Sequence, residues 1–142
     1  MNKVVLDSYA LLRFSQDEEG ADRVEEILSG AQRGDVHVYM SEINLGEIYY
    51  ITIRRLGKKP ARRFLDYLLT LPVEVVPPSS EIILSASEVK AEFAISYADC
   101  FAVATALKCS ASIMTGDPEF RLVEPLVKID WIGSATGGSK NR

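Results

Sequence analysis

Val4-Val5-Leu6-Asp7-Ser8 decides the reading. Three consecutive apolar residues make a short strand buried on both faces, and Asp7-Ser8 supplies the side-chain oxygen that begins a helix. A buried strand handing over at once to a helix is the building unit of a parallel sheet. Outward from it, Leu11, Leu12 and Phe14 predict a brief helix. Residues 18–32 predict a second, with Ala21, Val24, Ile27, Leu28 and Ala31 at helical spacing and a stop near Gly30 or Gly34. Val36, Val38 and Met40 alternate with His37 and Tyr39 as a second strand. Ser41 caps a helix to Arg55, stopped by Gly57, and Pro60 opens another that ends before Pro72.

The alternation continues to the end. Residues 73–76 read as a third strand, closed by Pro77-Pro78. Helices follow from Ser79-Ser80 to about Phe93 and from Ser96 or Tyr97 to about Cys109. Residues 112–114 are a fourth strand, Asp117 to Phe120 a turn, and residues 126–132 a fifth strand. The expected fold is α/β: a three-layer sandwich with a mainly parallel sheet of about five short strands flanked by helices. One domain is expected over 1–132, with a flexible Gly/Ser-rich tail over 133–142. In such sheets ligands bind beyond the carboxyl ends of the strands, where strand order switches. Asp7 and Asp117 both fall on that rim.

Composition removes several chemistries. The chain has 142 residues, 47% hydrophobic and 25% charged, with 16 basic and 20 acidic residues and a net charge of −4. No apolar run approaches the ~20 residues of a membrane span, and the first residues lack a signal-peptide core, so a cytoplasmic protein is expected. One histidine, His37, and two cysteines, Cys100 and Cys109, cannot build a paired-histidine acid–base system, a four-cysteine zinc site or a disulfide framework. His37 reads as a strand residue and the cysteines as reduced thiols. Neither G-x-G-x-x-G nor a phosphate-binding P-loop occurs.

Most of the acids decorate polar helix faces. Asp7, Glu47, Asp99 and Asp117 do not. Asp7 is the only charge between Lys3 and Arg13. Glu47 stands in Ile43-Asn44-Leu45-Gly46-Glu47-Ile48-Tyr49-Tyr50-Ile51, Asp99 is the only charge between Glu92 and Lys108, and Asp117 follows a strand directly. Taken singly, Asp7 and Asp99 read as helix caps and Asp117 as a turn residue. Together, four acids in apolar segments call for a shared counter-charge, because burying an ionised carboxylate is costly. Hard oxygen donors without histidine or cysteine suit Mg²⁺ or Mn²⁺. Such a cluster is an apparatus for phosphodiester hydrolysis by metal-activated water. The four acids equal in number the whole acidic excess, so a pI near 5.1 does not argue against a nucleic-acid substrate.

At these residues the sequence resembles the PIN-domain ribonucleases, and among them the small VapC-type toxins of type II (VapBC) toxin–antitoxin pairs. The matching stretches are Val4 to Ser8, Ser41 to Tyr50, Tyr97 to Ala106, and Thr115-Gly116-Asp117-Pro118-Glu119-Phe120. The resemblance implies that Asp7, Glu47, Asp99 and Asp117 bind Mg²⁺ or Mn²⁺ and activate water for cleavage of single-stranded RNA. It implies supporting roles for Ser8, Thr115 and Asn44, with Glu119 as an alternative to Asp117. It also implies a VapB-like antitoxin that blocks the site, and a homodimer.

Arg54, Arg55, Lys58, Lys59, Arg62 and Arg63 fall within ten residues free of acids. They read equally as a grip on RNA phosphates and as a solvated corner of two helices. Tyr49 and Tyr50 read as core packing rather than base-stacking residues. Two other readings stand beside the toxin: a PIN-family RNA-processing nuclease outside any toxin–antitoxin pair, and a receiver-like signalling domain with an acidic pocket. The receiver requires adjacent acids after the first strand and an acceptor Asp after the third, where Pro77-Pro78 stands. A haloacid-dehalogenase phosphatase requires a second Asp at the position of Tyr9.

Overall fold

The computed structural model describes residues 2–133; the tail expected over 133–142 lies outside the described residues from 134 onward. Strand β1 (Asn2–Leu6) passes through Asp7 into α1 (Ser8–Ser15). There follow α2 (Ala21–Arg33), β2 (Val36–Ser41), α3 (Glu42–Leu56), α4 (Lys58–Leu68) and β3 (Glu74–Val76). The second half holds α5 (Ser80–Glu92), α6 (Tyr97–Cys109), β4 (Ser112–Thr115), a 3-10 segment (Pro118–Val123) and β5 (Ile129–Trp131).

All pairings are parallel, in the order β3-β2-β1-β4-β5. The chain builds outward from β1 through β2 to β3, then crosses to β4 and β5 on the other side. The switch point therefore lies between β1 and β4, and a crevice opens there at their carboxyl ends. This order differs from the 2-1-3-4-5 of receiver-type sheets, which removes that alternative.

Side chains along β1 alternate, so the sheet feeds two cores. Val5 packs with Ile113, Phe101, Val103 and Phe120 beneath α5 and α6. Val4 and Leu6 pack with Val24, Val38, Met40 and Ile48 beneath α1, α2 and α3. Helix α6 is apolar all round, with Cys100 to Ala106 buried in succession, as befits a helix covered on both sides. Asp99 in its first turn is therefore carried into the core edge.

Several boundaries differ from the sequence reading, α2 beginning at Ala21 rather than at residue 18 among them. Helix α4 begins at Lys58 rather than Pro60, which sits in its first turn, where a missing N–H is harmless. Strand β5 spans 129–131 rather than 126–132, because the Leu126 and Val127 N–H groups turn back to the Val123 carbonyl at 2.9 and 3.2 Å. His37 pairs with exposed Glu74 at 2.7 Å and stacks on Tyr39. Cys100 and Cys109 are free thiols. No helix among the described residues is long and apolar enough to cross a membrane.

Candidate active site

Asp7 is both a cap and a site residue. Its Oδ1 accepts from the Ala10 N–H at 2.9 Å, which starts α1. Its Oδ2 accepts from the Thr115 hydroxyl at 2.6 Å, which ties the end of β1 to the end of β4 across the switch point. Thr115 Oγ1 in turn accepts from the Asp117 N–H at 3.1 Å. Asp117 Oδ1 takes the Glu119 N–H at 3.0 Å and so caps the 3-10 segment. One hydroxyl thus orients two acids.

Asp99 does not cap its helix; Ser96 does, its Oγ accepting the Asp99 N–H at 3.1 Å. That leaves the Asp99 carboxylate free to face the crevice. Glu47 lies in the second turn of α3, where its Oε1 accepts from the Ser8 hydroxyl at 2.6 Å. Asn44, fully buried, donates through Nδ2 to the Ala98 carbonyl at 3.2 Å and reaches Glu47 at 3.5 Å. It joins α3 to the start of α6.

These side chains meet in one cavity of about 390 Å³, lined by Asp7, Ser8, Tyr9, Leu12, Glu47, Ser96, Asp99, Asp117 and Glu119. Of the nine described residues in its lining, five are acids and none is basic. Asp99, Asp117 and Glu119 each bring a carboxylate oxygen within 4.8 Å of the others. Thr115 and Asn44 sit behind the wall. The basic residues of 54–63 do not line this cavity. A larger cavity, about 690 Å³, lies at the opposite, amino-terminal ends of the strands beside Lys3 and Lys128, and shows no such convergence of acids among the described residues.

Electrostatics follows from burial. Asp7 is 1% exposed, and its pKa is pushed up to about 8, mainly by loss of water. The bonds from Thr115 and Ala10 work against that rise, and Asp99 and Asp117 add to it. Asp99 is pushed up to about 7, first by burial and then by Asp117, although Ser96 favours the charged form. Its place at a helix N-terminus favours charge as well; desolvation and neighbouring acids prevail. Among the described residues no Lys or Arg forms an ion pair with any of the five acids.

A divalent cation fits this donor set. Each carboxylate has lone pairs beyond those used by its hydrogen bonds, the donors are hard oxygens, and the repulsion among the acids is what a cation relieves. Asn44 Oδ1 is buried without a partner among the described residues.

Tyr9, Leu12 and Ser96 line the cavity without having stood out in the sequence. Tyr9 and Leu12 follow Asp7 on one face of α1, a pattern visible only once Asp7 is placed at the site. Tyr50, read as core, is 46% exposed, with the Arg54 guanidinium 5.1 Å from its ring centroid. Tyr49 is half-buried.

The PIN domain family matches residues 4–124. No curated protein matches the chain at significant similarity. Similar solved structures include VapBC from Salmonella typhimurium bound to DNA, 17% identical, TM-score 0.72, covering 92% of this chain and 98% of that one. VapBC2 from Rickettsia felis bound to a promoter DNA fragment is 18% identical, TM-score 0.71, with the same coverage. VapC20 of Mycobacterium tuberculosis, a sarcin–ricin loop cleaving toxin, is 18% identical, TM-score 0.68, covering 83% and 92%. At these identities the likeness is one of fold.

Proposed function

The chain belongs to the PIN-domain family, and from that premise we propose that it is a Mg²⁺- or Mn²⁺-dependent endoribonuclease. Its substrate is RNA, single-stranded or structured, and it acts as the VapC-type toxin of a toxin–antitoxin pair. One observation carries the reading: five carboxylates, with no basic residue among the described lining, converge on one cavity at the β1/β4 switch point.

Asp7, Glu47, Asp99 and Asp117 are the proposed ligands and catalytic acids, with Glu119 beside them rather than instead of them. A divalent ion there supplies a Lewis acid and a bound water of lowered pKa for phosphodiester hydrolysis. The chain's own residues set the geometry. Thr115 fixes Asp7 and the Asp117 backbone, Ser8 fixes Glu47, and Asn44 ties Glu47 to the start of α6.

Arg54, Arg55, Lys58, Lys59, Arg62 and Arg63 are the proposed grip on RNA phosphates. Glu47 and Arg54 lie seven residues apart on one helix, about 10 Å along its axis. An RNA strand leaving the acids along α3 therefore meets the basic segment next. The likeness to VapBC complexes supports a VapB-like antitoxin as partner. Exposed Ile83 and Leu84 on α5 offer apolar surface to a second copy, and in this reading the protein works in the cytoplasm.

The test is cleavage of a single-stranded RNA in Mn²⁺ by wild type, Asp7→Asn and Asp99→Asn, with folding checked by circular dichroism. The wild type cleaves and both folded variants lose at least about a hundredfold in rate. Full activity in either variant overturns the assignment.

A further inference from the structure

The cavity has two unlike walls. Asp99, Asp117 and Glu119 form one. The other is one turn of α1, which presents Tyr9 and Leu12, three residues apart and on one helix face. Among the described residues Tyr9 is the single aromatic side chain in the lining.

Its ring is fixed from two directions. Arg13 Nη2 donates to the phenol oxygen at 2.7 Å, and the guanidinium carbon lies 4.9 Å from the ring centroid. Against the ring lies Gly116, where a Cβ would collide with Tyr9 Cε1 and stand 2.9 Å from the Ile132 carbonyl oxygen. The absence of a side chain just before Asp117 makes the slot the ring occupies. Tyr9 is half-buried, not sealed in either core.

The acid wall attracts cations but offers nothing to the flat, uncharged face of a base. An aromatic ring with an aliphatic neighbour does, and stacking of a base on an aromatic side chain tolerates any base. We propose that Tyr9, with Leu12 beside it, is the platform on which a nucleobase flanking the cleaved phosphodiester stacks. The inference rests on the ribonuclease reading and adds to it how the substrate is seated.

The experiment uses a single-stranded RNA oligonucleotide with a mapped cleavage site, and two copies carrying an abasic ribose on one or the other side of that bond. Wild-type kcat/KM falls about 5- to 150-fold on one of the abasic RNAs. Tyr9→Leu cleaves the intact RNA slower by a similar factor and loses nothing further on that abasic RNA. Tyr9→Phe keeps the ring and stays within about threefold of wild type on the intact RNA. Tyr9→Leu retains the Mn²⁺-induced rise in melting temperature, which separates lost stacking from damaged acids; Tyr9→Met replaces it if Tyr9→Leu does not fold. A wild type indifferent to both abasic RNAs overturns the proposal. So does a Tyr9 variant that still loses the full abasic factor, because the two losses then add. A wild type that cleaves no RNA overturns the ribonuclease reading itself, a different result from cleavage without a stacking effect.

Discussion

Asp7 carries three tasks at once: helix cap, strand-to-strand tie and proposed metal ligand. Its raised pKa has a consequence for the metal-free protein. The folded state holds the Asp7 proton up to about pH 8 while the unfolded chain releases it near 3.8. Stability from this group is therefore fully present below pH 3.8 and is lost as pH rises through 8. In chelator, the melting temperature should fall between pH 5 and pH 8, and Asp7→Asn should flatten the slope. Asn still caps α1 and can donate to Thr115 Oγ1, so the variant should be more stable than wild type at pH 8.5, by the order of a few kcal/mol. A rising wild-type curve would contradict the burial argument. Thr115→Val removes the hydroxyl on Asp7 and the acceptor for the Asp117 N–H. It should weaken Mn²⁺ binding about 10- to 100-fold, read by calorimetric titration. At this scale the acids were legible because a lone charge in an apolar run needs a reason. Whether each was a cap or a site residue was not, and the answer differs: Asp7 is both, whereas Ser96 caps α6 and frees Asp99.

The short segment after β4 shows what an element adds. Asp117 and Glu119 competed for one role in the sequence. The turn brings both into the cavity, since Asp117 caps the segment whose second residue is Glu119. No spacing rule for a helix or strand describes such a turn, which is why sequence reading left the pair open. Gly116, one residue earlier, admits the Tyr9 ring. Gly116→Ala should cost about 1–3 kcal/mol, visible in denaturant unfolding, because the Ile132 carbonyl is backbone and cannot swing away. Tyr50 was misread for a related reason: apolar residues surround it in sequence, yet it lies on the outward face of α3, under Arg54. The basic segment spans the end of α3 and the start of α4. Replacing Lys58, Lys59 and Arg63 with Gln should weaken RNA binding and flatten its salt dependence by about 0.7 for each phosphate no longer neutralised. An unchanged slope would leave these residues as a solvated corner.

The architecture as a whole follows from a simple alternation. Short buried strands separated by helices imply a parallel sheet, and the helical period of α2 and the caps of α3 and α5 were plain in the sequence. The strand order was not, because every βαβ unit reads alike along the chain. That order matters most: it places β1 beside β4 and so brings Asp7 to Thr115 and Asp117 across 108 residues or more. Five acids with no ion pair among the described residues line one cavity at one end of the sheet, and the repulsion among them is what a bound cation would relieve. A ligand that binds only the folded state stabilises it in proportion to its concentration. The decisive experiment is therefore a calorimetric titration of Mn²⁺ into the metal-free wild type and Asp99→Asn at pH 8. Saturable binding to the wild type is expected, with at least about tenfold weaker binding to the variant. No saturable binding by the wild type, or equal binding by both, would refute a metal centre built on these acids.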